Sequence, residues 1–547
     1  MPVDDSLLDL AAVKSALDLA SDLLRGAAVR LAVLTDGGKR LDDEQVFAYD
    51  LAHATAGLAT ARAALDYGSS GSDEARIAVV FAADVLSDLV SRTAGREVAW
   101  GTEPGWHRSL GEFLTAGRSP ALLAQVADRP GSMNLDPDFE MVRDAFRRFA
   151  AEQVAPLAEH IHRRNTDIPE EIIEGLADMG GFGLSVPEEY GGAASGSERD
   201  YLGMVVATEE LSRASLGAGG SLVTRPEILT RALVNGGTEK QKHSLLPKIA
   251  TGELMVAIAV TEPDYGSDVA SVSTAAARDP AGGWVINGVK TWCTFAARAD
   301  VLMLLARTDP DRSRGHRGLS VFVVSKPRGE AQGFVFAQDA NIEGRPEGLA
   351  TGRLEGRPID TIGYRGMHSY ELAFENWWVP EDALVGGDEG EGKGFYLQMQ
   401  GFENGRLQTA ARAIGVMQAA YEAGLEYSRN RKVFGRPILD YQLTQAKLGR
   451  MAAMTQASRQ FAYGVAGMMA RGEGSMEASM VKAYVCRAAE WVTREAMQLH
   501  GGMGYAEEFA VSRFFVDARV LSIFEGADET LCLKVIARRL VEQAAAR

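Results

Sequence analysis

Residues 284–292, WVINGVKTW, decide the fold class, because the period of the apolar residues changes here from helical to alternating. Two apolar runs, Trp284 to Ile286 and Val289 to Trp292, flank Asn287-Gly288, a dipeptide typical of a two-residue β-hairpin. Further short runs follow: VLMLLART, GLSVFVVS, GFVFA and YELAFENWWVP. Residues 256–384 are therefore predicted to form an antiparallel β domain, either a barrel or two packed sheets.

Helical periodicity flanks this β region on both sides. Residues 134–255 are predicted to form an α domain that opens with DPDFEMVRDAFRRF, with Asp136 as the helix cap and Pro137 as the first helical residue. Residues 385–547 repeat apolar side chains at helical spacing, which predicts a bundle of long helices. Residues 1–130 have the same period and are predicted to be a helical packing or assembly domain. The predicted fold class is mainly α with a middle β domain.

Composition excludes several classes of function. The chain has 547 residues, 46% hydrophobic and 24% charged, which is typical of a globular protein with several domains. A net charge of −17 disfavours a nucleic-acid partner. No apolar run has the length of a membrane span, and the acidic start MPVDDSLLDL does not resemble a signal peptide. The three cysteines lack disulfide or metal spacing, so we expect a cytoplasmic protein without a bound metal.

Glu525 is the first candidate for catalysis, within DARVLSIFEGADE at residues 517–529. Ile523 and Phe524 precede it, and an apolar environment makes a carboxylate a stronger base. Gly526 follows, and a residue without a Cβ lets a ligand approach the backbone closely. The combination suits a general base that removes a weakly acidic C–H proton. A carboxylate that merely stabilises a helix start is the alternative interpretation of this stretch.

Three further stretches suit a flat ligand that carries phosphate. AVTEPDYGSDVAS at residues 259–271 offers hydroxyls and backbone N–H groups. GVKTWCTF at residues 288–295 offers Trp292 for stacking and Thr294 for a hydrogen bond. QLHGGMGY at residues 498–505 has paired glycines that admit close contact.

Together with RNRKVFGRPI at residues 429–438 and SIFEGADE at residues 522–529, these stretches resemble the acyl-CoA dehydrogenase family over residues 134–547. The resemblance implies an α domain, a middle antiparallel β barrel and a C-terminal four-helix bundle, with FAD as the cofactor. It also implies an enzyme that oxidises an acyl-CoA substrate and passes the electrons to an electron-transfer flavoprotein. The expected domains are the N-terminal helical extension, the α domain, the middle β domain and the helical bundle, at residues 1–130, 134–255, 256–384 and 385–547.

The resemblance also assigns site residues by position. It makes Glu525 the catalytic base, and Gly405 occupies the place where other members carry their base. Substrate contacts are expected from Gly526, Ser267, Glu403 and Arg406. The positions matched to FAD are Thr261, Ser267, Trp292, Thr294, Arg431, Phe434, Gln442, Gln498, Gly501, Gly502, Ala527 and Glu529. Ala527 replaces a threonine that usually binds FAD, so this contact is in doubt.

Six of these positions are expected to reach the FAD of a neighbouring subunit, which implies a homo-oligomer. They are Arg431, Phe434, Gln442, Gln498, Gly501 and Gly502. The N-terminal extension could cover the surface on which relatives form a tetramer, so we expect a homodimer.

The extension also narrows the substrate. A further 130 residues before the α domain resemble the members of this family that oxidise (2S)-methylsuccinyl-CoA to mesaconyl-CoA in the ethylmalonyl-CoA pathway. Such a substrate carries a free carboxylate, which needs a cation or several donors in a closed pocket. Arg225 is the candidate, because the residue before Pro226 is pushed out of helical geometry and its side chain can turn inward. Tyr265 is a second candidate, and a surface position is the alternative for Arg225.

Three other functions are compatible with parts of this pattern. The chain could oxidise another short or branched acyl-CoA, or it could be a flavin acyl-CoA oxidase that uses oxygen directly. A DNA-associated flavoprotein of the same fold is the alternative outside enzymes, and the net charge of −17 disfavours it.

Overall fold

The computed structural model describes residues 9–339 and 342–546. The chain divides into two compact units, which we describe separately. The first contains Met1–Asp144 and Arg406–Arg547, and the second contains Ala145–Gly405. The N-terminal extension and most of the C-terminal bundle thus share one unit, while the four predicted domain boundaries stay a prediction.

The elements follow the predicted order of helices, strands and helices. Before the sheet lie α1 (Leu10–Leu34), α2 (Gln45–Gly68), α3 (Ser72–Thr93), α4 (Glu97–Trp100), α5 (Gly111–Gly117), α6 (Pro120–Val126), α7 (Pro137–Phe149), α8 (Ala155–Arg164), α9 (Glu170–Asp178), α10 (Asp200–Ala214), α11 (Thr224–Gly236) and α12 (Glu239–Ala250). The sheet contains β1 (Val256–Ala259), β2 (Ala275–Arg278), β3 (Trp284–Thr294), β4 (Val301–Arg307), β5 (Leu319–Ser325), β6 (Phe334–Gln338), β7 (Gly352–Ile359) and β8 (Ser369–Val379). After it come α13 (Gly394–Asn430), β9 (Lys432–Val433), β10 (Arg436–Pro437), α14 (Gln442–Ala470), α15 (Ser475–His500), α16 (Ala510–Leu521), α17 (Asp528–Thr530) and α18 (Arg538–Ala545).

The middle strands form one eight-stranded sheet in the order β1-β4-β2-β3-β8-β7-β6, with β5 also paired to β4. Most neighbouring strands are antiparallel, as predicted. The pairs β1–β4 and β2–β4 are parallel, so the sheet is mixed. The predicted class, mainly α with a middle β domain, is confirmed.

The predicted hairpin at Asn287-Gly288 is wrong, because β3 runs without a turn from Trp284 to Thr294. The register against β8 shifts between Ile286 and Gly288, where Glu375 and Asn376 of β8 lie opposite Asn287, so the dipeptide faces a bulge in β8. Gly288 has φ +144°, and a Cβ at this position would lie 2.6 Å from Thr274 Oγ1. The glycine is therefore explained by the close approach of a neighbouring chain segment.

In the first unit, the N-terminal extension packs directly on the bundle. Phe81 of α3 makes an edge-to-face contact with Tyr484 of α15, with ring centres 5.8 Å apart. A Cβ at Gly449 of α14 would lie 2.4 Å from Leu123 O, so this glycine allows the backbones of α14 and α6 to approach closely. The two parts therefore share one core.

In the second unit, helices cover one part of the sheet. Leu229 and Leu233 of α11 and Leu246 of α12 are fully buried and belong to one apolar cluster with Met303 of β4 and Val321 of β5. This packing fixes α11, which carries Arg225, against the strands. Within the described ranges, no helix is both long and apolar enough to cross a membrane.

Candidate active site

Glu525 lies in a loop between α16 and α17, not in the first turn of a helix. The N–H of Asp528 donates to Ser522 O at 3.2 Å and closes this loop, residues 522–528, which we call the base loop. Glu525 has φ +54° and Gly526 has φ +101°. A left-handed conformation costs a non-glycine residue about 1–3 kcal/mol and is found where the surrounding structure enforces it. The base loop is therefore a held, strained segment.

The carboxylate of Glu525 has two partners on α13. Thr409 Oγ1 donates to Glu525 Oε2 at 2.7 Å, and Arg412 Nη2 donates to Glu525 Oε1 at 2.7 Å. Both partners are fully buried, and Arg412 also lies over the Phe524 ring, 4.8 Å from its centre. Hydrogen bonds that join opposite charges are the stronger class, so Glu525 is fixed in position.

The sequence motifs did not indicate that Thr409 and Arg412 contact Glu525. The apolar wall expected around Glu525 is present in part as Phe524, but a buried guanidinium lies against it. The available signal was a charged residue in TAARAIG, residues 409–415, which is otherwise small or apolar. A lone arginine inside an apolar helical stripe requires a partner, because a buried charge is rarely left unpaired.

Lys482 of α15 anchors the residue after the base. Its Nζ donates to Gly526 O at 2.5 Å, and the side chain is buried. Burial lowers the pKa of Lys482, although the nearby Glu525 and Asp528 carboxylates act in the opposite direction. Arg406 of α13, which is predicted to hold coenzyme A, donates to Ser479 Oγ of α15 at 3.2 Å.

The remaining predicted residues of the first unit lie on exposed turns or ends. Phe434 stands at the turn between β9 and β10 with φ +49° and is 98% exposed. Gly501 follows α15 with φ +59°. Chain neighbours aside, a Cβ added to Gly501 or Gly502 would have no atom of the described residues within 4 Å. Ala527 is half-buried in the base loop. The other predicted positions that are exposed are Arg431, Gln442, Glu529 and Gln498, the last of which lies on the last turn of α15.

In the second unit, two of the predicted motifs lie side by side. The N–H of Thr291 donates to Thr261 O at 2.8 Å, which joins the loop of residues 259–271 to β3. A buried ion pair strengthens this junction, since Lys290 Nζ lies 2.9 Å from Glu262 Oε1. Burial opposes ionisation, but Lys290 and hydrogen bonds from Ser273 and Thr274 lower the pKa of Glu262 to about 2.

Strand β3 also presents the two predicted flavin contacts. Its register shifts again between Lys290 and Cys293, and Trp292 lies in this bulge with φ +57°. The Trp292 side chain is 56% exposed, which is unusual for an indole on a sheet. Thr294 is buried, and its Oγ1 lies 3.1 Å from Ser369 Oγ. Ser267 is exposed in the adjacent loop, and Glu403 lies on α13.

Arg225 is buried, so the surface alternative is wrong. It belongs to the first turn of α11, so the expected departure from helical geometry before Pro226 is not found. Its Nη1 donates to Ser221 O at 3.1 Å, and its guanidinium lies 5.7 Å from the centre of the Tyr364 ring. Tyr265 is half-buried and packs against the apolar cluster of this unit.

Profiles of the acyl-CoA dehydrogenase family match three parts of this chain. The N-terminal domain profile matches residues 136–253, the middle domain profile residues 257–377 and the C-terminal domain profile residues 392–541.

Individual relatives agree with the profiles. (2S)-Methylsuccinyl-CoA dehydrogenase of Cereibacter sphaeroides is 40% identical over 566 residues, which cover 96% of this chain and 98% of that protein. The structure of a glutaryl-CoA dehydrogenase with glutaryl-CoA is 29% identical with a TM-score of 0.66, covering 76% of this chain and 98% of the other. A chain from the structure described as the electron transferring flavoprotein of Acidaminococcus fermentans is 30% identical with a TM-score of 0.65, covering 76% and 99%.

The fold and the matched profiles together define a flavin-dependent oxidoreductase. The chain belongs to the acyl-CoA dehydrogenase family. The predicted family, fold class, enzyme class and FAD cofactor are thereby confirmed, and the roles of individual site residues stay predictions.

The residues present fit FAD in each unit taken by itself. In the second unit, an exposed indole at a strained backbone position offers a flat surface to a ring system. In the first unit, the open space around Gly501 and Gly502 admits close contact with the backbone. Trp292 and Thr294 would hold the flavin ring, and the glycines would contact the cofactor through their N–H groups.

Proposed function

We propose that the protein oxidises (2S)-methylsuccinyl-CoA to mesaconyl-CoA, as a step of the ethylmalonyl-CoA pathway, and passes the electrons to an electron-transfer flavoprotein. The observation that carries this proposal is the similarity to a (2S)-methylsuccinyl-CoA dehydrogenase over 96% of the chain. The two solved structures cover 76% of this chain. The additional part that only the dehydrogenase covers among these three is about a fifth of the chain, similar in size to the N-terminal helical extension. The coverage of almost the whole chain by this relative supports the substrate assignment.

The charge of the substrate gives independent support. Methylsuccinyl-CoA has a free carboxylate on its β carbon, and an unpaired charge in a closed pocket is very costly. Arg225 is buried, and its guanidinium donates one hydrogen bond among the described residues, to Ser221 O. A guanidinium has five N–H donors, so Arg225 retains the capacity to hold a carboxylate by two hydrogen bonds.

In the proposed mechanism, Glu525 removes the α proton of the thioester. Thr409 and Arg412 orient its carboxylate, and Lys482 fixes the following peptide through Gly526 O. Trp292 and Thr294 would hold FAD, which would supply the two-electron oxidant for the loss of hydride from the β carbon. The chain's contribution is to align the base with the substrate and to exclude water from the reacting atoms.

The assembly is a further part of the proposal. We propose a homodimer in which Arg431, Phe434 and Gln442 complete the FAD site of the partner subunit. A phenylalanine that is 98% exposed at a strained turn supports a role in contacts with another chain. The three cysteines are buried and unpaired, which is compatible with the cytoplasmic location that we propose.

A substrate survey tests the proposal. Purified holoenzyme is assayed with a dye acceptor against methylsuccinyl-CoA, glutaryl-CoA, butyryl-CoA and 2-methylbutyryl-CoA. We expect methylsuccinyl-CoA to give the highest kcat/KM, and the (2S) isomer to be preferred over the (2R) isomer. A higher kcat/KM for an uncharged thioester would overturn the substrate assignment. Fast turnover with oxygen alone would identify an oxidase instead.

A further inference from the structure

The base loop is fastened at three points within the first unit. At its start, Ser522 Oγ donates to Glu490 of α15. In its middle, Lys482 holds Gly526 O. At its end, Asp528 is held by the N-terminal extension, which contains none of the predicted site residues. The third point is the one that connects the extension to the proposed base.

Two side chains on one face of α2 bind the same oxygen of Asp528. Tyr49 Oη donates to Asp528 Oδ2 at 2.5 Å, and His53 Nε2 lies 3.0 Å from the same atom. Tyr49 and His53 are four residues apart, and their rings meet edge to face with centres 4.7 Å apart. His53 and Asp528 are both buried, and Arg487 Nη1 donates to Tyr49 Oη at 3.4 Å. The group thus forms one connected network.

We propose that Tyr49 and His53 are positioning residues for the catalytic base, which they hold in place through Asp528. This inference rests on the role of Glu525 in the proposed function. Asp528 lies three positions after Glu525, and its N–H closes the loop that holds Glu525 in a left-handed conformation. A displacement of Asp528 therefore displaces the base. Misplacement of a reacting group by 1 Å can cost about 10²-fold in rate.

The electrostatics explain why Asp528 needs these partners. Burial disfavours its ionised form, but His53 and Tyr49 lower the pKa of Asp528 below its ordinary value. Without them, a buried carboxylate would keep its charge without compensation, which is a strongly destabilising arrangement. The loop would then shift until Asp528 found water or another donor.

A metal site is the competing interpretation of this cluster. His53, Asp528 and Cys532 are buried, and their ligand atoms lie within 4.8 Å of one another. Two observations favour the hydrogen-bond network. Both donors already lie at hydrogen-bond distance from Asp528 Oδ2. Burial and the nearby Asp528 also raise the pKa of the Cys532 thiol well above its ordinary value, which disfavours the thiolate that a metal would need.

Four variants test the proposal in the FAD-loaded enzyme, each assayed with the thioester that gives the highest rate in the substrate survey. Tyr49→Phe and His53→Ala each remove one partner of Asp528, and we expect kcat to fall about 10-fold with little change in KM. His53→Gln retains an N–H donor and should recover most of the activity. Cys532→Ala is the control from the same cluster, and its kcat should remain close to that of the wild type.

A double-mutant cycle separates positioning from general stability. Tyr49→Phe is combined with Glu525→Gln, which removes the base. Because residues that act as a unit are non-additive, Tyr49→Phe should have almost no effect on the residual turnover of Glu525→Gln. Tyr49→Phe is a conservative change, so the cycle can be measured even if His53→Ala does not fold.

Three results would overturn the inference. The first is a wild-type kcat in both Tyr49→Phe and His53→Ala. The second is the same fold loss from Tyr49→Phe in both backgrounds of the cycle, which would mean a general structural effect. The third is one equivalent of metal in the purified protein that disappears in Cys532→Ala. A normal rate in Glu525→Gln alone would instead show that the proposed base is wrong, and the positioning role would fail with it.

Discussion

Arg412 Nη2 lies 2.7 Å from Glu525 Oε1, and the arginine side chain is completely buried. A proposed catalytic base is therefore paired with a cation that has no access to water. Such a pair is costly to form but more costly to break, because removal of one partner leaves a buried charge uncompensated. The ion pair therefore ties the base loop to α13.

Arg412→Met should lower both the melting temperature and the turnover. Breaking a buried ion pair typically costs about 3–5 kcal/mol, and Glu525 would also lose its orientation. Differential scanning calorimetry and a dye-linked assay measure the two effects. The double variant Arg412→Met/Glu525→Gln should recover part of the stability, because it leaves no unpaired charge.

Arg459 provides the control for this prediction. Arg459 lies on α14, is as deeply buried as Arg412, and its guanidinium donates to the amide oxygens of Gln418 and Gln456. Arg459→Met should lower the melting temperature and leave kcat nearly unchanged. An Arg412→Met enzyme with wild-type stability and turnover would refute the assigned role.

Arg225→Ala should weaken the reaction selectively for substrates with a second carboxylate. We expect kcat/KM for methylsuccinyl-CoA to fall by an amount equivalent to about 2–5 kcal/mol, as for other buried charge pairs that lose one partner. The value for 2-methylbutyryl-CoA, which has no second carboxylate, should change far less. Equal losses for both thioesters would show that Arg225 does not bind the carboxylate.

Arg231 is the matched control for Arg225, because it lies on the same helix. Its guanidinium stacks on Tyr201 at 4.6 Å from the ring centre. Arg231→Ala should therefore affect the two thioesters equally. Selective loss in this variant as well would indicate a general change of the helix rather than recognition by Arg225.

The ion pair of Glu262 and Lys290 should make stability depend on pH in the acid range. The pKa of Glu262 is about 2, below its value of 4.5 in an unfolded chain, so its contribution is fully present above about pH 4.5. It is lost as the pH falls toward about 2, because over this range the unfolded chain binds a proton that the folded protein does not. Thermal unfolding between pH 5 and pH 3 should show a shallower loss of stability in Glu262→Gln than in the wild type. Parallel curves for both proteins would contradict the assigned ion pair.

Short motifs and periodicity allowed the sequence to predict the family and the order of helices, strands and helices. Contacts between residues distant in the chain were not predictable in the same way. Asn287-Gly288 has the local signature of a hairpin, yet the pairing of β3 with β8 keeps the strand extended and places the dipeptide opposite a bulge in β8. Local turn preference was outweighed by pairing along a whole strand.

The partners of the base were missed for the same physical reason. Arg412 is 113 residues from Glu525, and His53 is 475 residues from Asp528, so neither pair has a sequence pattern that links its members. The parallel pairing of β1 and β2 with β4 likewise depends on chain topology rather than on local composition. For Arg225 the sequence left an inward and a surface position open; the residue is buried, but it lies inside α11 and not in the non-helical geometry expected before Pro226.

Turnover of (2S)-methylsuccinyl-CoA by Glu525→Gln tests the central claim most directly. Glutamine retains the shape of the side chain and can still accept a hydrogen bond from Thr409, but it cannot take up the α proton. We expect kcat to fall by at least ~10²-fold, as for the loss of a general base, while the FAD content remains that of the wild type. If the variant instead turns over at a rate near that of the wild type, Glu525 is not the base, and the account of this active site is wrong.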